Sequence, residues 1–298
     1  MSIKEHPPQD IHVPVLLEAT VDTLRPIQGE NYLDLTAGYG GHARRFLDIT
    51  ENYNDSILVD RDDYAIAKLV EFEQKGVRLL HTDFVDAARS LIQEGKQFSI
   101  VLVDLGVSSP QLDQSDRGFS FIHSGPLDMR MDRRQKLSAS TLVNKASKNE
   151  LTLIITKYGE EPIGFASRTA AAIIKARPLE TTQELADLIK LNYRGKWKKT
   201  HPATRTFQAL RIAVNQELLQ IEELLPLLPK LLKQGGRIGI ISFHSLEDRL
   251  VKLYLKEQFE AGYEATLQPL TKKPLDGATY DVHNPRSRSS KLRAAVKK

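Results

Sequence analysis

The chain has 298 residues, 41% of them hydrophobic and 27% charged, with a formal net charge of +4; this suits one large or two modest globular domains and excludes a disordered chain. It contains no cysteine, which excludes disulfides, thiolate zinc sites and any cysteine nucleophile. The first ten residues are polar and hold no apolar signal core, so a cytoplasmic protein is expected.

In chain order, His12 to Glu18 is a short apolar element that reads as packing over a sheet. Asn31 to Thr36 reads as a buried strand that breaks into Gly38-Tyr39-Gly40-Gly41 and then opens a helix running to about Ile49. A strand that breaks at glycines before a helix is a cradle for a nucleotide-like ligand. Glycine allows positive φ and close backbone approach there. The same glycines also fit a dinucleotide fingerprint or a purely structural turn. Ser56 to Asp60 is a second strand ending in an acid, nineteen residues beyond Gly41, the spacing of the carboxylate that accepts hydrogen bonds from ribose hydroxyls in doubly wound sheets. Arg78 to Asp83 and Phe98 to Val103 give strands three and four, each paired with a helix. Alternation of this kind brings Asp34, Asp60, Asp83 or Phe84, and Asp104 to one carboxyl edge, where open α/β sheets bind ligands.

The alternation then stops for about a hundred residues. Leu151 to Tyr158, Phe165 to Arg177, Thr182 to Leu191 and Thr204 onward read as helices, with Thr181 or Thr182 as a cap. The leucine-rich run from Leu224 to Leu232 is broken by Pro226, Pro229 and Lys230, so no membrane span is expected. Strand character returns from Gly235 to His244, followed by a helix through Tyr254 and short strands near Ala265 to Leu270 and Lys291 to Val296. Ser245 with Asp248 three residues on resembles a capping box, so His244, Glu247, Asp248 and Arg249 read either as a helix start or as a pocket border. Three basic clusters stand out: Arg130 to Lys136, Arg194 to Lys199 around Trp197, and six Lys or Arg without an acid from Asn284 to Lys298. Together they favour nucleic acid over solvated faces.

In these motifs the chain resembles the class I S-adenosylmethionine methyltransferases, which carry an acid and close-set glycines after strand one and a ribose acid after strand two. More narrowly, it resembles the RsmH (MraW) family of bacterial 16S rRNA cytidine 4-amino methyltransferases. The matching stretches are His12 to Glu18, Asp34 to His42, Val59 to Asp62, Asp104 to Asp113, Arg117 to Phe121, Gly125 to Asp132, His201 to Phe207, Ser242 to Arg249 and Asn284 to Ser289. They run in order from end to end. The stretch between Gln258 and Asn284 is shorter than in many relatives.

The resemblance implies an α/β fold: a Rossmann-like methyltransferase sheet with an inserted all-α substrate-recognition domain. Its parts are expected at 1–111 and 207–298 for the sheet and 112–206 for the insertion. It implies S-adenosylmethionine as cofactor, held by Gly40, Gly41, His42, Asp60, Phe84, Asp104 and Gln111, with Gly38 in the same turn. Phe84 suits adenine packing or ordinary core, and His42 serves through its backbone N–H or its ring. The implied partner is 16S rRNA in the 30S subunit or a late precursor, bound by a monomer or a homodimer. Asp104 and the Ser108-Ser109-Pro110 turn occupy the place of the short catalytic loop of amino-methylating enzymes. Arg130, Arg205, Arg286 and Arg288 are assigned to phosphate, His244 and Arg249 are substrate-binding candidates at the pocket border, and Asn284 is a further substrate-binding candidate. Methylation at carbon 5 of cytosine normally needs a cysteine adduct, which this chain cannot form. No metal is expected, because the histidines lack ligand spacing. The rival readings are a nicotinamide dehydrogenase, a non-catalytic RNA-binding factor and a DNA amino-methyltransferase.

Overall fold

The computed structural model describes residues 14–195 and 200–298, and of Ser109 the backbone alone. His12, Trp197, Lys196, Lys198 and Lys199 lie outside the described residues. The chain divides into two compact units: Val107–Ile221, and the segments flanking it up to Gly106 and from Glu222.

The flanking segments build one sheet. Its strands are β1 (Tyr32–Asp34), β2 (Ile57–Asp60), β3 (Arg78–His81), β4 (Phe98–Asp104), β5 (Leu232–Ser242), β6 (Leu267–Pro269), β7 (Leu275–Asp276) and β8 (Lys291–Lys297). They lie in the order β3-β2-β1-β4-β5-β8-β6, with β7 also paired to β8. The first five are parallel, and β8 is antiparallel to β5. The order of the first five matches that of the dinucleotide fold, and the sheet differs from it in the antiparallel direction of the strand beside β5, which counts against the dehydrogenase reading. Continuous apolar runs in β1, β2 and β4 follow from burial on both faces. The register Asp34↔Leu58 and Asp34↔Leu102 places β1 in the middle, with Asp34 at the carboxyl edge. At the entry to β5 the ladder slips between Phe98 and Ile100. Gly236 lies opposite, where a Cβ would stand 2.9 Å from the Phe98 carbonyl oxygen, so glycine permits the bulge.

Helices α1 (Leu17–Leu24), α2 (Gly41–Thr50), α3 (Asp63–Glu73) and α4 (Phe84–Gln93) belong to the first segment. Leu24, Phe46, Leu47, Leu69 and Phe72 from α1 to α3 close over Tyr32, Leu58, Ile100 and Leu102 of the sheet.

The helical unit starts with α5 (Ser109–Asp113), α6 (Ala139–Lys145), α7 (Lys148–Gly159), α8 (Ile163–Ala176), α9 (Thr182–Asn192) and α10 (Thr204–Asn215). Thr181 caps α9, with Glu184 completing the reciprocal box. This unit has its own core, including Leu142, Leu151, Phe165, Ile173, Leu185, Phe207 and Leu210. Its limits differ from the expected 112 and 206 for packing reasons. Val107 joins this core, and α10 is held by Arg211, whose guanidinium pairs with Glu217 at 2.7 Å. After α11 (Glu217–Leu224) and α12 (Leu228–Leu231) the chain re-enters the sheet, and α13 (Ser245–Glu260) and α14 (Gly277–Tyr280) complete it. Among the described residues, no helix is long and apolar enough to cross a membrane.

Candidate active site

The site is built on the turn that follows β1. The Asp34 side chain accepts hydrogen bonds from the Tyr32 hydroxyl at 2.7 Å and from the Thr36 N–H at 3.1 Å. Thr36 Oγ1 in turn accepts from the Asp104 N–H at 2.5 Å, which joins the ends of β1 and β4. The Ala37 N–H donates to the Val59 carbonyl at 2.9 Å and ties the turn to β2. Gly38 and Gly40 have φ of +53° and +79°, which side chains rarely adopt. Their surroundings differ. The nearest atom to a Cβ on Gly38 would be the Thr36 carbonyl oxygen at 3.9 Å, so that side of the turn is open. A Cβ on Gly40 would stand 2.5 Å from the Phe72 ring, and one on Gly41 2.3 Å from Pro14. The missing Cβ atoms of Gly40 and Gly41 thus make room for α3 and for the segment before α1, while the Gly38 side of the turn stays open. Helix α2 begins without a side-chain cap or an acid in its first turn. Its first N–H groups therefore have no intrahelical acceptor and suit an anionic group.

Asp60 braces this turn from the end of β2. Its Oδ2 accepts from the Gly38 N–H and its Oδ1 from the Asp62 N–H, both at 2.8 Å. A carboxylate oxygen can accept twice, so each keeps capacity for a hydroxyl. Phe84 is buried at the start of α4, where Asp83 accepts from the Val85 and Asp86 N–H groups as the cap. Asp104 ends β4; its Oδ1 is buried with no hydrogen-bond partner, and its Oδ2 lies 3.7 Å from His42 Nε2.

Burial sets the electrostatics. It raises the Asp34 carboxyl to about 7, against the opposing pull of its hydrogen bonds with Tyr32 and Thr36. Asp60 is also raised by burial. Asp104 is pushed well above the ordinary carboxylate range by burial, then by repulsion from Asp34 and Glu247. Burial lowers the His42 imidazole to about 4, so it is neutral at physiological pH. A rim of buried carboxyl groups with one orphaned oxygen, beside an open glycine face and free helix N–H groups, suits a ligand with a cationic, hydrogen-bond-donating part and a carboxylate. S-adenosylmethionine has both, and the residues present fit it.

At the end of β5 the expected cap moves by one residue. His244, not Ser245, is the cap of α13: its Nδ1 accepts from the Glu247 N–H at 3.4 Å. The buried Glu247 carboxylate accepts from the Phe243 and His244 N–H groups. His244 thus acts first as a helix start, while Arg249 is exposed on α13. Asp248 is held by Lys291 and Arg293 of β8 at 2.9 and 2.7 Å. Beyond α14, Asn284 accepts from the Arg286 N–H, and the buried Ser287 hydroxyl donates to the Gly277 and Asp281 carbonyls. Arg286 and Arg288 alternate with it and are exposed.

In the helical unit, Ser108 and Gln111 form a reciprocal capping box at the start of α5: Gln111 Oε1 accepts from the Ser108 N–H, and Ser108 Oγ from the Gln111 N–H. Ser109 opens α5; its side chain lies outside the described part of the structure. Arg205 is exposed on α10 and reaches the Glu160 carbonyl at 3.5 Å. Arg130, expected at phosphate, is engaged within its own loop. Its Nε and Nη2 bind Asp128 and its Nη1 the carbonyls of Arg133 and Gln135, so it holds its own loop together rather than offering an open cation to phosphate.

The MraW methylase family model matches residues 9–298, nearly the whole chain. The chain belongs to the MraW methylase family. The ribosomal RNA small subunit methyltransferase H of Synechocystis sp. is 44% identical to it over 309 residues, covering 100% of this chain and 97% of that protein. The protein of the same name from Cyanothece sp. is 45% identical over 293 residues, covering 97% and 95%. That of Citrifermentans bemidjiense is 45% identical over 312 residues, covering 96% and 98%.

Two residues of this methylase at the turn after β1, Tyr32 and Thr36, escape motif reading, and a third, Glu247, is named by it without its part in the cap. Tyr32 lies two positions before Asp34 and so on the same face of β1, a strand-period signal. Thr36 links two strands through a hydroxyl that its position in a turn does not reveal. Glu247 hides in a sequence where Asp248 gives an equally good capping pattern.

Proposed function

We propose that this methylase transfers the methyl group of S-adenosylmethionine to the exocyclic 4-amino group of a cytidine in bacterial small-subunit rRNA. The observation that carries the reading is the partnerless Asp104 Oδ1 on a rim with Asp34 and Asp60, beside the open face of Gly38. The rRNA substrate follows from the relatives' shared name, and the cytidine amine from the motif resemblance and the lack of cysteine.

When bound, the cofactor supplies a methyl group made electrophilic by its sulfonium. The chain's task is to hold and align. The N–H groups opening α2 take the cofactor's carboxylate, Asp60 accepts from its ribose hydroxyls and Phe84 packs beside the adenine. Asp104 accepts from a donor group through its orphaned oxygen. The cytosine amine is a weak nucleophile because its lone pair is delocalised into the ring. In-line positioning can supply up to roughly 7–11 kcal/mol. A hydroxyl or carbonyl of the Ser108-Ser109-Pro110 turn, which follows β4 in the chain, would accept a hydrogen bond from the cytosine amine and so localise its lone pair, and the proton the amine loses on methylation would pass to water. A target inside folded rRNA must first be turned out of its stack. Gln111 contributes to the cofactor's polar edge, and Arg205, Arg286 and Arg288 to phosphate, in a 30S subunit or late precursor.

Mass spectrometry of small-subunit rRNA from cells with and without the protein tests the reading. The 4-amino-methylated cytidine should disappear on deletion, and its persistence would refute the assignment. In single-turnover assays on 30S subunits, Asp104→Ala and Ser109→Ala should slow transfer at saturating cofactor.

A further inference from the structure

Tyr32 begins a hydrogen-bonded series that no motif assigns. Its ring is fully buried, stacked on Phe46 with centroids 4.9 Å apart and planes within 5°. Its hydroxyl donates to Asp34 Oδ2 at 2.7 Å. The other Asp34 oxygen accepts from the Thr36 N–H, and Thr36 Oγ1 accepts from the Asp104 N–H. Asp34 is only 1% exposed, so it acts on a ligand through its charge and through the turn it anchors. The groups facing it are carboxyls: Asp60 from β2 and Asp104 from β4, the latter also facing Glu247 and His42.

We propose that Tyr32 is a positioning residue for the methyl-donor site, its hydroxyl favouring the ionised form of the buried Asp34 among these carboxyls, so that capture of a cationic cofactor is coupled to release of the proton Asp34 otherwise holds. The inference rests on the methyl-donor reading above. With Asp34 neutral, the Thr36 N–H loses a charged acceptor and the rim loses one negative charge. With Asp34 ionised, both are restored. Burial and the neighbouring carboxyl keep the Tyr32 phenol protonated, hence a donor. Burial alone would favour the neutral acid at Asp34, and the phenol opposes it.

Tyr32→Phe keeps the stacked ring and removes only the hydroxyl. Cofactor affinity is to be measured by calorimetry from pH 6 to 9 for the unmodified protein, Tyr32→Phe and Asp34→Asn, with S-adenosylhomocysteine, which lacks the sulfonium, as a second ligand. In ligand-free samples the aspartate carboxyl carbons are titrated by NMR. Affinity of the unmodified protein for S-adenosylmethionine should rise with pH through the Asp34 titration. Tyr32→Phe should move that midpoint up by about one pH unit, a loss of about fivefold at neutrality that approaches tenfold toward pH 6 and is recovered at high pH. Asp34→Asn should remove the Asp34 part of the step, any remaining rise belonging to Asp104, and the step should be smaller for S-adenosylhomocysteine. Equal loss at every pH in Tyr32→Phe, or an unmoved Asp34 carboxyl in the ligand-free protein, overturns the proposal while leaving the methyl-donor reading standing. No binding of either ligand by the unmodified protein at any pH overturns both.

Discussion

Asp34 and His42 pull the pH dependence of stability in opposite directions. In the fold the Asp34 carboxyl sits at about 7, far above its ordinary value of 3.8. Between those values the native state holds a proton that the unfolded chain has released, so stability falls as pH rises. The His42 imidazole sits at about 4 against 6.5. There the unfolded chain takes up a proton that the native state refuses, so stability falls as pH drops through that window. Each contribution is on the order of 3–4 kcal/mol over its full window, and the two largely offset each other where they overlap. Single variants should separate them. The stability of Asp34→Asn relative to the unmodified protein should grow steadily from pH 4 to 7, and that of His42→Gln should decline from pH 4 to 6.5. Urea midpoints at matched pH values measure both, and parallel pH profiles for all three proteins would refute the assignment. Neither charge state is readable from sequence, because Asp34 and His42 owe it to burial by neighbours distant in the chain.

The turn between β1 and α2 shows what an element discloses in sequence and what it withholds. Its position, its glycines and the acid after β2 are legible because a buried parallel strand is a continuous apolar run and a helix must begin after it. Which missing Cβ faces a ligand is not legible, because Phe72 and Pro14 reach the turn from elsewhere in the fold. The difference predicts two distinct phenotypes. Gly38→Ala has room within the protein and should cost only the left-handed backbone penalty, about 1–2 kcal/mol, while weakening cofactor binding by obstructing the open face. Gly40→Ala adds a 2.5 Å clash with Phe72 to the same penalty and should lose more than about 2 kcal/mol of stability. Thermal denaturation combined with cofactor titration separates the pair, and equal stability losses would show that both glycines face packed neighbours. The α13 cap carries the same lesson at finer grain: Ser245 with Asp248 and His244 with Glu247 are one residue apart, and only the buried Glu247 carboxylate decides between them.

Across the whole molecule, charge count and charge availability part company. The net charge is +4, yet several of the cations that make the sequence look RNA-binding are committed internally. Arg130 binds Asp128, and Lys291 and Arg293 bind Asp248. The loop from Asn284 to Ser290 carries two exposed arginines. Ser287 and Ser290 turn inward and hydrogen-bond the backbone, Asp281 accepts from the Leu16 N–H, and Arg286 and Arg288 face solvent. A loop fixed by buried serines presents its arginines at little entropic cost, which suits contacts with a phosphate backbone. Each phosphate neutralised on single-stranded RNA contributes about 0.7 to the slope of log affinity against log salt, and up to about 0.9 on a duplex. Replacing both Arg286 and Arg288 by alanine should therefore lower the slope for small-subunit rRNA by roughly 1.5 and weaken binding most at low salt. Cofactor affinity and thermal stability should stay nearly unchanged, because both side chains are exposed and lie outside the turn after β1. Filter binding across a salt series, with parallel cofactor titration, measures both quantities. An unchanged slope would remove this loop from the RNA-binding surface, and a joint loss of slope and cofactor affinity would show that the two functions are not separable.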